Sequence, residues 1–266
     1  MSRGLRRFFV DQVFSKEDAL LQLSPRETFH LHQVLRLKEG DRCQVFNRSG
    51  LGAEALIQAI SKAGSARLKL TQVFPLKEGL IYLRMGQALP QKRKMDWIVE
   101  KAEELGVQEL WALETERTMV RMRGEARARA KKRWERIVVA AAKQSGSPVL
   151  TTLEGPHRFE EVVKERLVPS GQSFLFHPDP RGLSFSKMME EITPPLTPIG
   201  AGLKPAPTVF LFFGPEGGFT EGEVRLARAR GIQKVFLGDS TLRLETAFLG
   251  VISAIRFLIQ GRVPPV

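Results

Sequence analysis

Cysteine is nearly absent from this 266-residue chain. Cys43 is the only one, so an intrachain disulfide is impossible and a thiolate-rich zinc site is excluded by arithmetic. Cys43 reads as a small buried hydrophobe. Long apolar runs are missing too. No stretch reaches spanning length, and the start MSRGLRRFFVDQ is basic without an apolar core followed by a cleavage site, so a cytoplasmic protein with no membrane partner is expected. The four histidines, His30, His32, His157 and His177, are not spaced as a metal site, and no serine, histidine and acid arrangement stands out. No metal and no metal-dependent hydrolysis are therefore expected. Acids are scarce: 29 Asp and Glu face 41 Lys and Arg, for a net charge of +12 and a pI near 10.2. Such a bias speaks of a polyanionic partner, nucleic acid ahead of an anionic membrane surface, and says nothing about fold. Hydrophobic residues at 42% and charged residues at 26% exclude a chain disordered over most of its length.

Two rhythms divide the chain. Short candidate strands at RRFFV, RCQVFN, AEALIQAI and ARLKLTQVF, separated by the turn-forming KEGD, NRSG and KAGS, predict a small barrel over residues 1–72. One helix interrupts it at SPRETFHLHQVLR, where Ser24 can cap, Pro25 can take the first turn, Glu27 can complete a capping box, and His32 and Arg36 can share a face. Over 73–266 strand and helix patterns alternate, which predicts an α/β domain with a parallel sheet. Strands are expected near Ile81–Gln87, Glu109–Glu114, Val149–Leu153, Ser173–Phe176, Thr208–Phe213 and Lys234–Leu237. Helices are expected near Lys92–Leu105, Glu125–Ser145, Arg158–Leu167, Glu221–Arg230 and Thr246–Ile259, with Gly106, Gly146, Gly231 and Gly261 as stops. The proline-rich stretch at 194–207 can be neither helix nor central strand, and reads as a surface insertion.

Between Arg117 and Arg136 nine basic residues, among them Arg121 and Arg123, face only Glu125 and Glu135. That local excess points to phosphate contacts. Lys92, Arg93 and Lys94 at a helix start point the same way, because cations there oppose the helix dipole. After the strand TVFLFF comes GPEGGFTEGEV, a glycine loop with Thr220 and Glu223 as a capping box. It lacks the Lys-Ser/Thr of a P-loop and does not fit G-x-G-x-x-G, so triphosphate or dinucleotide binding has little support. A second loop, LGDSTLRLETA, sets Arg243, Glu245 and Thr246 at a helix entrance. Both loops follow strand ends, where a shared ligand crevice forms. The tryptophans Trp97, Trp111 and Trp134 sit in amphipathic or strand patterns and read as core or dimer-interface residues rather than base-stacking platforms.

GPEGGF before a helix, LGxxxLRxETA after it, and QALPQKRKMDWIVEKAEELGV, TERT and RWERIVVAAAKQSG before it resemble the RsmE family of 16S ribosomal RNA uridine-N3 methyltransferases, of the SPOUT class. The resemblance spans nearly the whole chain, including RRFFV and HQVLR near its start. It implies a PUA-like N-terminal barrel, a C-terminal domain with a trefoil knot, a homodimer, S-adenosyl-L-methionine as cofactor and the small ribosomal subunit as partner. Arg243 and Glu245 are then the expected catalytic pair, with Arg243 stabilising the deprotonated uridine and Glu245 either accepting the proton or orienting Arg243. Leu175, Phe176, His177, Phe213, Gly214, Pro215, Glu216, Gly217, Gly218, Leu237, Gly238, Ser240, Thr241 and Leu242 are expected around the cofactor. Arg7, Arg36, Lys92, Arg93, Lys94, Arg117, Arg121 and Arg123 are expected on RNA. Two positions depart from the family's usual pattern: Ser240 stands where an arginine is usual, and KQSGS, with Lys143 and Ser147, replaces EQSGR. Either is expected to weaken an RNA or dimer contact, with the surplus arginines available to compensate. The competing readings are a non-catalytic RNA-binding ribosome-assembly factor, and a SPOUT methyltransferase with a different RNA target.

Overall fold

The computed structural model describes residues 5–61, 64–76, 81–147, 150–167, 171–192 and 207–260. It separates into two compact units, residues 1–78 with 142–150, and residues 79–141 with 151–266. The expected insertion at 194–207 lies outside the described residues except for Pro207, as does the stop at Gly261.

Unit 1 is a barrel-like sheet in the order β1 (Arg7–Phe9), β3 (Arg42–Phe46), β4 (Leu51–Ile60), β5 (Ala66–Pro75), β2 (Leu20–Gln22). β1 pairs in parallel with β3, and the other pairs are antiparallel. Alternation along the strands turns Phe8, Val45, Ala53, Ala55, Ile57, Leu68 and Leu70 into one core, joined by Leu31 from the helical segment. Cys43 is in this core, and burial pushes its thiol up to about 12. Helix α1 (Pro25–Phe29) starts as expected, with Ser24 Oγ accepting from the Glu27 amide, and runs on as a wider π-type turn over His30–Val34. The capping box does not close: the Glu27 carboxylate pairs with Lys143 Nζ at 2.8 Å instead. Arg36 follows the helix end with φ of 57°, so it does not share a helical face with His32.

Unit 2 is a seven-stranded, wholly parallel sheet in the order β10, β12, β9, β11, β6, β7, β8. Its elements are β6 (Tyr82–Ala88), α2 (Lys94–Glu104), β7 (Glu109–Glu114), α3 (Gly124–Ser145), β8 (Thr152–Arg158), α4 (Phe159–Glu161), β9 (Gln172–Phe176), β10 (Leu183–Ser184), α5 (Phe185–Ile192), β11 (Thr208–Phe213), α6 (Glu221–Ala229), β12 (Gln233–Phe236) and α7 (Leu244–Gln260). The near-continuous apolar run of β11 is what a parallel strand covered on both faces requires. Phe210 and Phe212 pack with Phe159, Phe219 and Trp111. Phe213, out of phase by one residue, stacks on Phe176 at 4.6 Å and meets Phe248 of α7 edge-on.

Four elements depart from expectation. β8 lies several residues later than the strand expected at Val149–Leu153, and runs through Gly155 and Pro156, where its pairing with β7 shifts register. Pro cannot donate to a ladder, and it is tolerated here because β8 is the edge strand. Neither β2 nor the β10 and α5 segment was expected. The strands are three and two residues long, too short for alternation to register.

Candidate active site

Loops leave the C-terminal ends of β6, β9, β11 and β12, and three of these strands, β9, β11 and β12, carry the residues expected around a cofactor. Leu175 and Phe176 are buried at the end of β9. His177, next in the chain, donates its amide to Val235 O, and its Nδ1 accepts from the Asp179 amide. Burial and then Lys234 hold its imidazole below the ordinary range, so it is neutral near pH 7.

The loop after β11 is compact. Gly218 donates its amide to Pro215 O at 2.9 Å with φ of 68°, a turn conformation that a side chain would strain. α6 begins directly behind it. Thr220 Oγ1 accepts from the Glu223 amide while Glu223 Oε2 accepts from the Thr220 amide, the capping box the sequence predicts. The other carboxylate oxygen of Glu223 accepts from the Glu116 amide at 2.9 Å, and Arg117 Nη1 donates to Gly217 O at 2.8 Å. The segment after β7 is thereby fastened to the glycine loop.

Lys94 ties that loop to the start of α7. Its Nζ lies 3.2 Å from Glu216 and 3.1 Å from Glu245, each side chain being about 30% exposed, and the Glu216 carboxylate also accepts from the Gln91 amide. Hydrogen bonding to Glu245, and then to Glu216, holds the lysine's pKa above its usual value. For Glu245, partial burial pushes upward but is outweighed by its own backbone amide and by Lys94, which hold the carboxyl below the ordinary range. Glu245 makes no hydrogen bond to Arg243. The Arg243 guanidinium is exposed and has no hydrogen bond or ion pair among the described residues. Between β12 and α7, Leu237 is half-buried while Gly238, Ser240, Thr241 and Leu242 are exposed. Gly238 has φ of 123°, and no atom lies within 4 Å of where a Cβ would project, so backbone faces open space there.

Several arginines expected on RNA are directed at the protein. Glu114, with a side chain only 4% exposed, takes Arg123 at 2.6 Å and Arg121 at 3.3 Å. Burial alone would raise its pKa, yet the hydrogen bonds from Arg123, the Met122 amide and Arg121 keep it below the usual value. Lys92 and Arg93 stay exposed at the start of α2. In unit 1, Arg7 donates to Ala142 O and Ser147 O and lies 4.6 Å over the Phe46 ring, while Arg36 is exposed. The departure at Lys143 is likewise absorbed within unit 1, by Glu27. The outward positive charge is carried instead by α3, where Arg127, Lys131, Lys132 and Arg136 are exposed and unpaired among the described residues.

Sequence reasoning missed Gln87. It is fully buried at the end of β6, and its Nε2 donates to Ala88 O at 2.9 Å and Gly214 O at 3.4 Å. The available signal was an amide in phase with the apolar Leu83 and Met85 of the same strand. Glu114 was missed in the same way, as a buried acid at the end of β7 rather than within a loop.

Residues 78–256 match the family model described as an RNA methyltransferase domain, and 23–70 match that of an RNA methyltransferase PUA domain. The chain belongs to the RsmE family of RNA methyltransferases. It is 27% identical to the ribosomal RNA small subunit methyltransferase E of Bacillus subtilis over 97% of this chain and 99% of that protein. With the protein of the same name from Synechocystis it shares 30% identity over 92% of this chain and 75% of the relative. Among solved structures, a Legionella pneumophila protein described as a methyltransferase with bound SAM superposes with a TM-score of 0.80, 26% identity and coverage of 96% and 98%. The ribosomal RNA small subunit methyltransferase E of Neisseria gonorrhoeae, bound to S-adenosyl methionine, gives 0.79 and 25% with the same coverage. The PUA-like barrel and the parallel α/β domain are thus the architecture of this family.

Glu114 yields a pH prediction. A carboxyl whose folded pKa is depressed adds stability above the unfolded value of about 4.3, and that contribution fades as pH falls through the folded value. Glu114→Gln should lose roughly 1–2 kcal/mol at neutral pH, discounted for the exposure of both arginines. Urea unfolding of both proteins from pH 7 to pH 2.5 should show the gap closing below about pH 4, again relative to that unfolded value.

Proposed function

We propose that the chain transfers a methyl group from S-adenosylmethionine to N3 of one uridine in 16S ribosomal RNA of the small ribosomal subunit, in the cytoplasm. The observation that carries this reading is the meeting of the β9, β11 and β12 ends at one edge of the sheet in a chain matched over nearly its whole length by named small-subunit methyltransferases. Outward charge on α3 fits an RNA partner.

The residues present suit the cofactor. Stacked Phe176 and Phe213 supply an apolar wall, and the open backbone at Gly238 admits close approach. Leu175, Phe176 and His177, the 213–218 loop, and Leu237, Gly238, Ser240, Thr241 and Leu242 would hold it. Bound there, S-adenosylmethionine supplies an electrophilic methyl on a sulfonium.

Uridine N3 is a poor nucleophile while protonated, and its loss of a proton spreads negative charge over N3 and the flanking carbonyl oxygens. The uncommitted Arg243 guanidinium can approach those oxygens and stabilise that charge. Glu245 acts differently. A carboxylate held below its ordinary range is a weak base, so its part is to fix Lys94 and the start of α7 rather than to take the proton. N3 lies on the pairing edge, so the base must be unpaired or turned out before transfer. We also read the domain as knotted and the molecule as a homodimer. The dimer is supported by α7, which leaves the large apolar side chains of Leu249, Phe257 and Leu258 exposed to water.

Nucleoside mapping by mass spectrometry of 16S RNA, from small subunits lacking the modification and incubated with the protein, should reveal N3-methyluridine at one site. RNA binding without methyl transfer would favour the assembly-factor reading. Arg243→Ala should retain cofactor affinity by calorimetry while transfer falls about 10²–10³-fold; unchanged turnover removes the role given to Arg243. Sedimentation should give a dimer that Phe257→Glu converts to monomer.

A further inference from the structure

A cavity of about 530 Å³ lies between α6 and the 179–183 segment and shares only Leu175 with the residues placed around the cofactor. Its volume is in the range of roughly 300–1,000 Å³ that small-ligand pockets occupy. The lining has two parts. Half-buried Leu183 and Val224 form its apolar wall, over a floor of the buried Leu175, Ala227 and Ile232. Arg181, Arg225, Arg228 and Lys234 stand against Asp179 and Glu221 around it, leaving positive charge in excess.

The cations are not equivalent. Arg181 and Lys234 are both held by Asp179, Arg181 through two hydrogen bonds of 2.9 and 3.0 Å. Both cations are thus engaged by one carboxylate, and the Lys234 pair fastens the 179–183 segment to the start of β12. Gly182 permits that fastening, since a Cβ there would come within 2.9 Å of Lys234 O and 3.2 Å of the Phe236 amide. Arg225 and Arg228 differ. They sit three residues apart on α6, so they project from one face, both are exposed, and neither guanidinium has a hydrogen bond or ion pair among the described residues. The helix dipole explains at most Arg228, which lies in the last turn, where a cation suits it. Arg225, mid-helix, gains nothing from the dipole, and although Glu221 lies four residues before it, the two side chains form no ion pair.

An apolar surface beside two unanswered guanidiniums is complementary to a nucleotide: a flat, poorly hydrated base and a phosphate that takes charge-assisted hydrogen bonds. We propose that this cavity is a second RNA-contact site, which takes one unpaired nucleotide of the substrate RNA, with its phosphate on Arg225 and Arg228 and its base on Val224, Ala227 and Ile232. The proposal rests on the RNA methyltransferase reading. It adds a grip on the substrate distinct from the glycine loops.

The test uses the full-length protein and the variant Arg225→Gln/Arg228→Gln. S-adenosylmethionine affinity by calorimetry should match wild type, showing an intact fold and cofactor site. Affinity for a fluorescent single-stranded 16S fragment should fall about tenfold, and the slope of log affinity against log salt should shrink by about 0.7, the value for one single-strand phosphate contact. In methyl transfer, KM for the subunit should rise with kcat retained. With a 4-thiouridine-labelled fragment, wild-type crosslinks should map to residues 221–234 and disappear in the variant. Unchanged RNA affinity and salt slope overturn the proposal. So does loss of uridine monophosphate binding with RNA binding intact, which identifies a free-nucleotide pocket. These readouts need no turnover, so a wild-type protein that binds RNA without methylating it would defeat the catalytic reading and leave this site standing.

Discussion

Everything at the candidate site depends on the position of β11. It lies between β9 and β6, bonded in parallel to both, so its backbone donors and acceptors are satisfied without solvent and its side chains can be apolar on both faces. Phenylalanines at alternate positions then commit each face to a different neighbour: Phe210 and Phe212 to Phe159 and Trp111, Phe213 to Phe176 and Phe248. Because the neighbouring strands are parallel, their C-terminal ends share one edge, and segments distant in sequence meet there. The glycine loop and the arginine loop are a consequence of strand order.

Ion pairs and charge-assisted hydrogen bonds then hold those segments in register. Lys94 lies between Glu216 and Glu245, Arg117 reaches Gly217 O, and Glu223 bridges the start of α6 and Glu116. None of these partly exposed pairs is worth much alone, but several acting on two short loops restrict the conformations either can adopt. They also divide the chain's positive charge into two populations. Lys94, Arg117, Arg121 and Arg123 organise the site, while Arg127, Lys131, Lys132 and Arg136 of α3 and the α6 pair, Arg225 and Arg228, face outward without side-chain partners among the described residues.

Periodicity and glycine punctuation made most of the fold legible, because long elements declare themselves: β7 and β11 fall where their patterns place them, and α3 and α6 differ by a residue. β2 and β10 are too short to carry a period. α5 did carry one, with Phe185, Met188, Met189 and Ile192 at helical spacing, but over only two turns. Composition marks the outward charge without saying which cation pairs with which acid. Lys94 opposes the dipole of α2, which reads as evidence for RNA until Glu216 and Glu245 are seen beside it; their positions, 122 and 151 residues later, depend on the three-dimensional path. The same holds for Gln87, whose amide acquires meaning only from Gly214 O across the sheet.

The central claim is that the ends of β9, β11 and β12 form one cofactor crevice. Hydrogen exchange followed by mass spectrometry, with and without S-adenosylmethionine, tests it most directly. The account predicts slowed exchange in residues 176–179, 214–218 and 237–243 together, with α6 beyond its first turn and unit 1 unchanged. Protection absent from these three segments, or confined to the cavity beside α6, would contradict it.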